Sequence, residues 1–176
     1  MIDDYEGPKE DKDLVKISKD LKALGNDSFK AGDYSKAMAK YTKAIRYLNE
    51  KPVFDDGDAE ELIQDFYSVK IPCYLNRGFS ALKLDRPQTT IKDMSSVLDM
   101  DLKYVTAADK TKAYFRRGSA YLKTATLDLE LAKQDLEQAK KLNPKDPGVL
   151  RELENVNAKL LAKRNKEKKA YAKMFA

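Results

Sequence analysis

The sequence predicts an all-α protein built from repeated helix-turn-helix units. Three observations lead there. From about residue 14 onward apolar residues recur at helical spacing, and strand-like alternation is nearly absent. Turn-forming residues fall between the helical runs at Gly32-Asp33, Pro52 to Asp58, Asp85-Arg86-Pro87, Thr124 to Asp128 and Asn143-Pro144, giving seven helices with short connections. Finally, the segment LKALGNDSFKAGDYSKAMAKYTKAIRYLN has a partner later in the chain, KAYFRRGSAYLKTATLDLELAKQDLEQAKKLNP. Aligned on Gly25 and Gly118, both read as helix, turn and second helix, with Ala37, Tyr41 and Ala44 matching Ala132, Leu136 and Ala139.

Each element follows from its residues. Residues 1–13, beginning MIDDYEGPKEDKD, are acidic and polar and contain Gly7-Pro8, as a linker would. The first repeat occupies about 14–50. The second, about 59–102, is a weaker copy around NRGFSALKLDRPQTTIKDMSSVLDMDL, anchored by Gly78. It carries Thr90, Met94 and Val97 where the others have small or bulky core residues, so its register is the least defined. The third spans about 105–143. The repeat glycines lie 53 and 40 residues apart, so the connectors are enlarged, and a loop with a lengthened helix fits Glu50 to Ile63. Residues 146–176 form a last helix from about Pro147 to Phe175. Its apolar first half caps the third repeat, and its basic second half projects into solvent.

Composition narrows the function. With 36% charged and 42% hydrophobic residues and a net charge of +5, the chain reads as soluble and not disordered overall, without a charge that demands a polyanion. No apolar run approaches the roughly 20 residues that span a bilayer. There is no histidine, which excludes histidine triads and histidine metal sites, and no glycine-rich phosphate loop appears. The single Cys73 sits among apolar residues and reads as a buried thiol in a reducing, cytoplasmic setting. The sequence predicts no catalytic residues, no metal site and no cofactor.

One cluster stands out. TKAYFRRG, residues 111–118, sets Lys112 and Arg116 four apart, on one face of a helix, with no acid inside the segment. Such a pair suits an anionic ligand. Tyr114, Phe115 and Tyr121 read as repeat packing, and Arg117 as a partner for an acid across repeats.

The repeat pattern resembles the tetratricopeptide repeat, whose unit is roughly 34 residues. The resemblance implies a right-handed superhelix of three helix pairs in which the first helices line a concave groove. On those helices Lys22 and Asn26, Asn76, and Lys112 and Arg116 then match the dicarboxylate clamp of chaperone-binding members, at the expected positions relative to the glycines. The implied ligand is the C-terminal Glu-Glu-Val-Asp of heat-shock protein 90, with heat-shock protein 70 as a second candidate. Phe29, Phe79 and Lys83 would form an auxiliary pocket. The chemistry fits, because a C-terminal aspartate presents two carboxylates and the five residues supply charged and amide donors.

The opening helix pair, the long insert and the terminal YAKMFA are similar to cyclophilin 40-type peptidyl-prolyl isomerases over about residues 14–176. That likeness implies the chaperone-docking half of an isomerase, without its catalytic domain. The repeat domain of an FK506-binding-type immunophilin is the alternative. The basic tail (Lys163, Arg164, Lys166, Lys168, Lys169, Lys173) offers calmodulin a second site, whereas nucleic acid and membrane are not expected partners.

Overall fold

A computed structural model describes residues 10–49, 54 and 57–174. Among these, the chain forms seven helices: α1 (Asp11–Lys30), α2 (Tyr34–Leu48), α3 (Glu60–Lys83), α4 (Pro87–Leu98), α5 (Ala107–Tyr121), α6 (Leu129–Leu142) and α7 (Pro147–Met174). Most of the expected linker (1–9), most of the loop at 50–56 and the last two residues lie outside the described residues.

Local chemistry sets the helix ends. Gly32 turns the chain between α1 and α2 at φ +80°, a conformation that glycine adopts at no steric cost, and Asp33 then caps α2 by accepting the Lys36 N–H at 2.9 Å. Pro87 opens α4, where its missing N–H costs nothing. At α5, Thr106 and Asp109 form a reciprocal capping box. Asp146 accepts the N–H groups of Gly148 and Val149 at the start of α7.

Helix α1 begins at Asp11, inside the stretch expected to be linker. Asp11 and Asp13 stabilise its positive end, and Leu14 and Val15 are already buried, so the helix is favoured one turn earlier than apolar spacing alone suggests.

The pairs α1–α2, α3–α4 and α5–α6 are held by the same device. A Cβ added at Gly25 would lie 2.6 Å from Tyr41, one at Gly78 2.5 Å from Met94, and one at Gly118 3.0 Å from Leu136. Each glycine therefore lets a large side chain of the second helix lie against the first. This fixes the second repeat's register as the alignment had it. Thr90, Met94 and Val97 are all fully buried, and the Thr90 hydroxyl donates to the Gly78 carbonyl at 2.8 Å.

Each helix packs on the next, and the first helices of successive pairs also touch, α1 with α3 and α3 with α5. The core follows the repeats in three clusters, the last formed by α6 with Leu153, Val156 and Leu160 of α7. Beyond Leu160, α7 is exposed along its described length. Among the described residues no helix is long and apolar enough to cross a membrane.

Candidate functional site

Because α1, α3 and α5 lie side by side, polar residues on their common face converge. Asn26 and Asn76 come together: the Asn26 Oδ1 accepts the Asn76 amide at 3.2 Å and the Tyr41 hydroxyl at 2.8 Å. Lys22, one turn earlier on α1, reaches across to α3 and donates to the Ser68 carbonyl at 3.4 Å. That carbonyl is available because its helical partner would be residue 72, and Pro72 has no N–H.

Arg116 of α5 donates to the Leu75 carbonyl at 2.7 Å, and its guanidinium lies 4.4 Å from the centre of the Phe79 ring. Burial holds its pKa down to about 10, with the neighbouring Tyr41 opposing the shift, so the cation persists at neutral pH. Lys112 is different. It is exposed at the rim, with its ammonium 4.0 Å from Asp109, an acid just outside the cationic segment.

The three auxiliary residues also meet. The rings of Phe29 and Phe79 are 5.4 Å apart, and the Lys83 ammonium is 5.3 Å from Phe79. Beside the cluster, Ser68, Ile71, Pro72, Asp109 and the stacked Tyr67–Tyr104 pair line a cleft of about 360 Å³.

Sequence reasoning took Arg117 for a partner of an acid across repeats. The acid, Asp135, belongs to its own helix pair, and the contact across repeats is to the Ser95 hydroxyl at 2.9 Å. Of the two adjacent arginines, one is thus spent on packing and the other joins the cluster. Tyr41 was read as packing alone, and nothing in its spacing reveals the hydrogen bond. The free Ser68 carbonyl did have a signal, the proline inside α3.

The described cluster offers two lysines, one arginine and two carboxamides. Its internal acceptors are mostly neutral carbonyls. An ionised carboxylate forms stronger hydrogen bonds with these donors than a neutral carbonyl does, so it can displace them. The arrangement is suited to an anion with several oxygens, held beside an aromatic surface.

Three consecutive helix pairs with a glycine-admitted side chain in each, first helices inward and a capping helix behind, define a tetratricopeptide-repeat domain. Sequence comparison carries this further: over nearly its whole length the chain is similar to part of peptidyl-prolyl cis-trans isomerases. It is 37% identical over 174 residues to peptidyl-prolyl cis-trans isomerase D of Cryptococcus neoformans var. neoformans serotype D, covering 98% of this chain and 45% of that protein. It therefore spans under half the length of that relative.

Among solved structures, the C-terminal tetratricopeptide domain of a putative FK506-binding protein of Plasmodium falciparum superposes with a TM-score of 0.77 at 27% identity, covering 94% of this chain and 99% of that one. The first such domain of Spaghetti (RPAP3), bound to the HSP90 peptide SRMEEVD, gives 0.62 at 25% identity over 84% of this chain and 95% of that one. No family model matches the chain.

Proposed function

We propose that the groove binds the C-terminal Glu-Glu-Val-Asp segment of heat-shock protein 90, with Lys22, Asn26, Asn76, Lys112 and Arg116 as a carboxylate clamp. The observation that carries this reading is the convergence of Lys22, Asn26, Asn76 and Arg116 from three helices onto one surface, with Lys112 at its rim. The solved relative holding an HSP90 peptide that ends in EEVD supports it. Phe29, Phe79 and Lys83 form the side pocket for the ligand's valine, and the Tyr67–Tyr104 cleft has room for a side chain further upstream. Charge-assisted hydrogen bonds contribute about 1.5–3 kcal/mol each, and ordering a flexible tail offsets part of the sum, which fits micromolar affinity.

The domain is the chaperone-docking half of a cytoplasmic isomerase, whose catalysis resides outside these repeats. Heat-shock protein 70, whose C-terminus is related, is the second ligand of the same groove. The test is calorimetric titration with Met-Glu-Glu-Val-Asp as free acid and as C-terminal amide. The free acid binds at least tenfold more tightly if the clamp reading holds, and equal binding removes it.

A second reading concerns α7. Its final turns are exposed and basic and carry Tyr171 and Met174, 66% and 78% exposed, which suits an auxiliary calmodulin site. Truncation after Leu161 abolishes calcium-dependent calmodulin binding on this reading and leaves peptide binding intact.

A further inference from the structure

We propose that Tyr41 sets the groove's preference for a carboxylate over a carboxamide by locking the Asn26 amide with its N–H groups toward the ligand. The inference rests on the clamp reading and adds to it a residue from outside the groove-lining helices.

Tyr41 belongs to α2, the second helix of its pair, and its side chain is fully buried. Its ring passes against α1 at Gly25, where a Cβ would lie 2.6 Å from Cε1. That close passage brings the hydroxyl to the groove side of α1, where it donates to the Asn26 Oδ1 at 2.8 Å. Asn76 supplies a second donor to the same oxygen at 3.2 Å.

A carboxamide oxygen accepts two hydrogen bonds, so both of its lone pairs are used. Flipping the Asn26 amide would turn its NH₂ group onto the Asn76 amide donor and forfeit that bond, and the Tyr41 hydroxyl would have to rotate and accept instead of donate. The two bonds favour this orientation, and in it Asn26 offers the ligand N–H. A carboxylate accepts from it. The NH₂ of a C-terminal amide meets another donor.

The hydroxyl keeps this role across the neutral range. Burial pushes its pKa up to about 12, against the opposing effects of the Asn76 hydrogen bond and the Arg116 charge. The matching positions in the other two repeats hold Met94 and Leu136, which have no O–H to give. The device is confined to the first pair.

Tyr41→Phe keeps the ring and removes only the donor. Calorimetry on the full chain with free-acid and C-terminally amidated Met-Glu-Glu-Val-Asp is expected to show a loss of about three- to tenfold for the acid and under about twofold for the amide, so the preference narrows. An unchanged acid-to-amide ratio in a folded Tyr41→Phe protein overturns the proposal. Asn26→Ala provides a second route that does not depend on the tyrosine. It should narrow the ratio equally, and adding Tyr41→Phe to it should change nothing more. Additive effects, or an unchanged ratio in Asn26→Ala, also overturn it. Equal affinity of the unmodified protein for both peptides would remove the clamp reading itself, and that outcome is read before any variant is made.

Discussion

Arg77 grips Asp93 through both carboxylate oxygens, with Nε–Oδ2 at 2.9 Å and Nη2–Oδ1 at 2.6 Å, and the aspartate is fully buried. The same arrangement recurs one repeat later between Arg117 and Asp135, at 2.7 and 2.9 Å. Each arginine directly precedes its repeat glycine and also reaches back to a hydroxyl of the preceding pair, Thr42 for Arg77 and Ser95 for Arg117. The pairs thereby fix how α3 and α5 are rotated about their axes. Asn76 and Arg116, each one residue earlier, are turned toward the groove as a consequence.

Asp93→Ala leaves the Arg77 cation largely buried with no carboxylate beside it. Removing one partner of a buried pair costs about 3–5 kcal/mol. Urea unfolding should show a loss near the lower end of that range, because the Arg77 side chain keeps 15% of its exposure. Arg77→Met combined with Asp93→Leu should be milder than either single change, since no unpaired charge remains.

The Cys73 thiol should be inert in the folded protein. It is fully buried, and burial pushes its pKa up to about 12 from an ordinary value of 9.0, with Lys22 and Arg77 opposing. Titration with a disulfide reagent at pH 8 should detect one thiol only after denaturant is added. The linkage has a definite sign. Above about pH 9 the unfolded chain releases the thiol proton while the folded chain retains it, so this group makes stability fall as pH rises toward 12.

Lys112 and Arg116 should separate in their effects. Lys112 is exposed and only 4.0 Å from Asp109, so Lys112→Ala should leave the unfolding midpoint unchanged. It should weaken peptide binding about tenfold and flatten its salt dependence. Arg116→Ala also removes the bond to the Leu75 carbonyl and the stacking on Phe79, so it should lower both affinity and stability. Calorimetry and thermal melts on the two variants give both readouts.

Ending the chain after Leu161 removes only exposed helix and should leave the melting temperature within a few degrees. Ending it after Asp146 removes Leu153, Val156 and Leu160 from the third cluster, and the buried Val149 with them, and should destabilise α5–α6 strongly, because burying each such side chain contributes about 1.5–3 kcal/mol. Circular dichroism melts of the two truncations test this contrast.

Much of the fold is visible in the residues because each repeat states its own rule. Gly25 faces Tyr41 and Gly78 faces Met94 at the same sequence separation, and Gly118 faces Leu136 after a turn two residues longer, so the glycine and the large side chain recur in each unit. The start of α1 was less visible, since capping and dipole effects act where apolar periodicity is silent. For the site, helical spacing brought out Lys112 and Arg116, and the resemblance to clamp-bearing repeats added Lys22, Asn26 and Asn76. They did not reveal what these residues touch without a ligand. The Ser68 and Leu75 carbonyls are backbone atoms with no signature of their own, and the Tyr41 hydroxyl depends on how closely α1 and α2 approach.

The central claim is that the face shared by α1, α3 and α5 receives a peptide's C-terminal carboxylate. Heteronuclear NMR on uniformly labelled protein, titrated with Met-Glu-Glu-Val-Asp, tests it most directly through the side-chain amide resonances of Asn26 and Asn76. The account predicts that both pairs of amide signals move early and strongly, together with backbone signals around Lys112 and Arg116. Shifts confined to α2, α4 and α6 or to the end of α7, with the two asparagine amides unmoved, would contradict it.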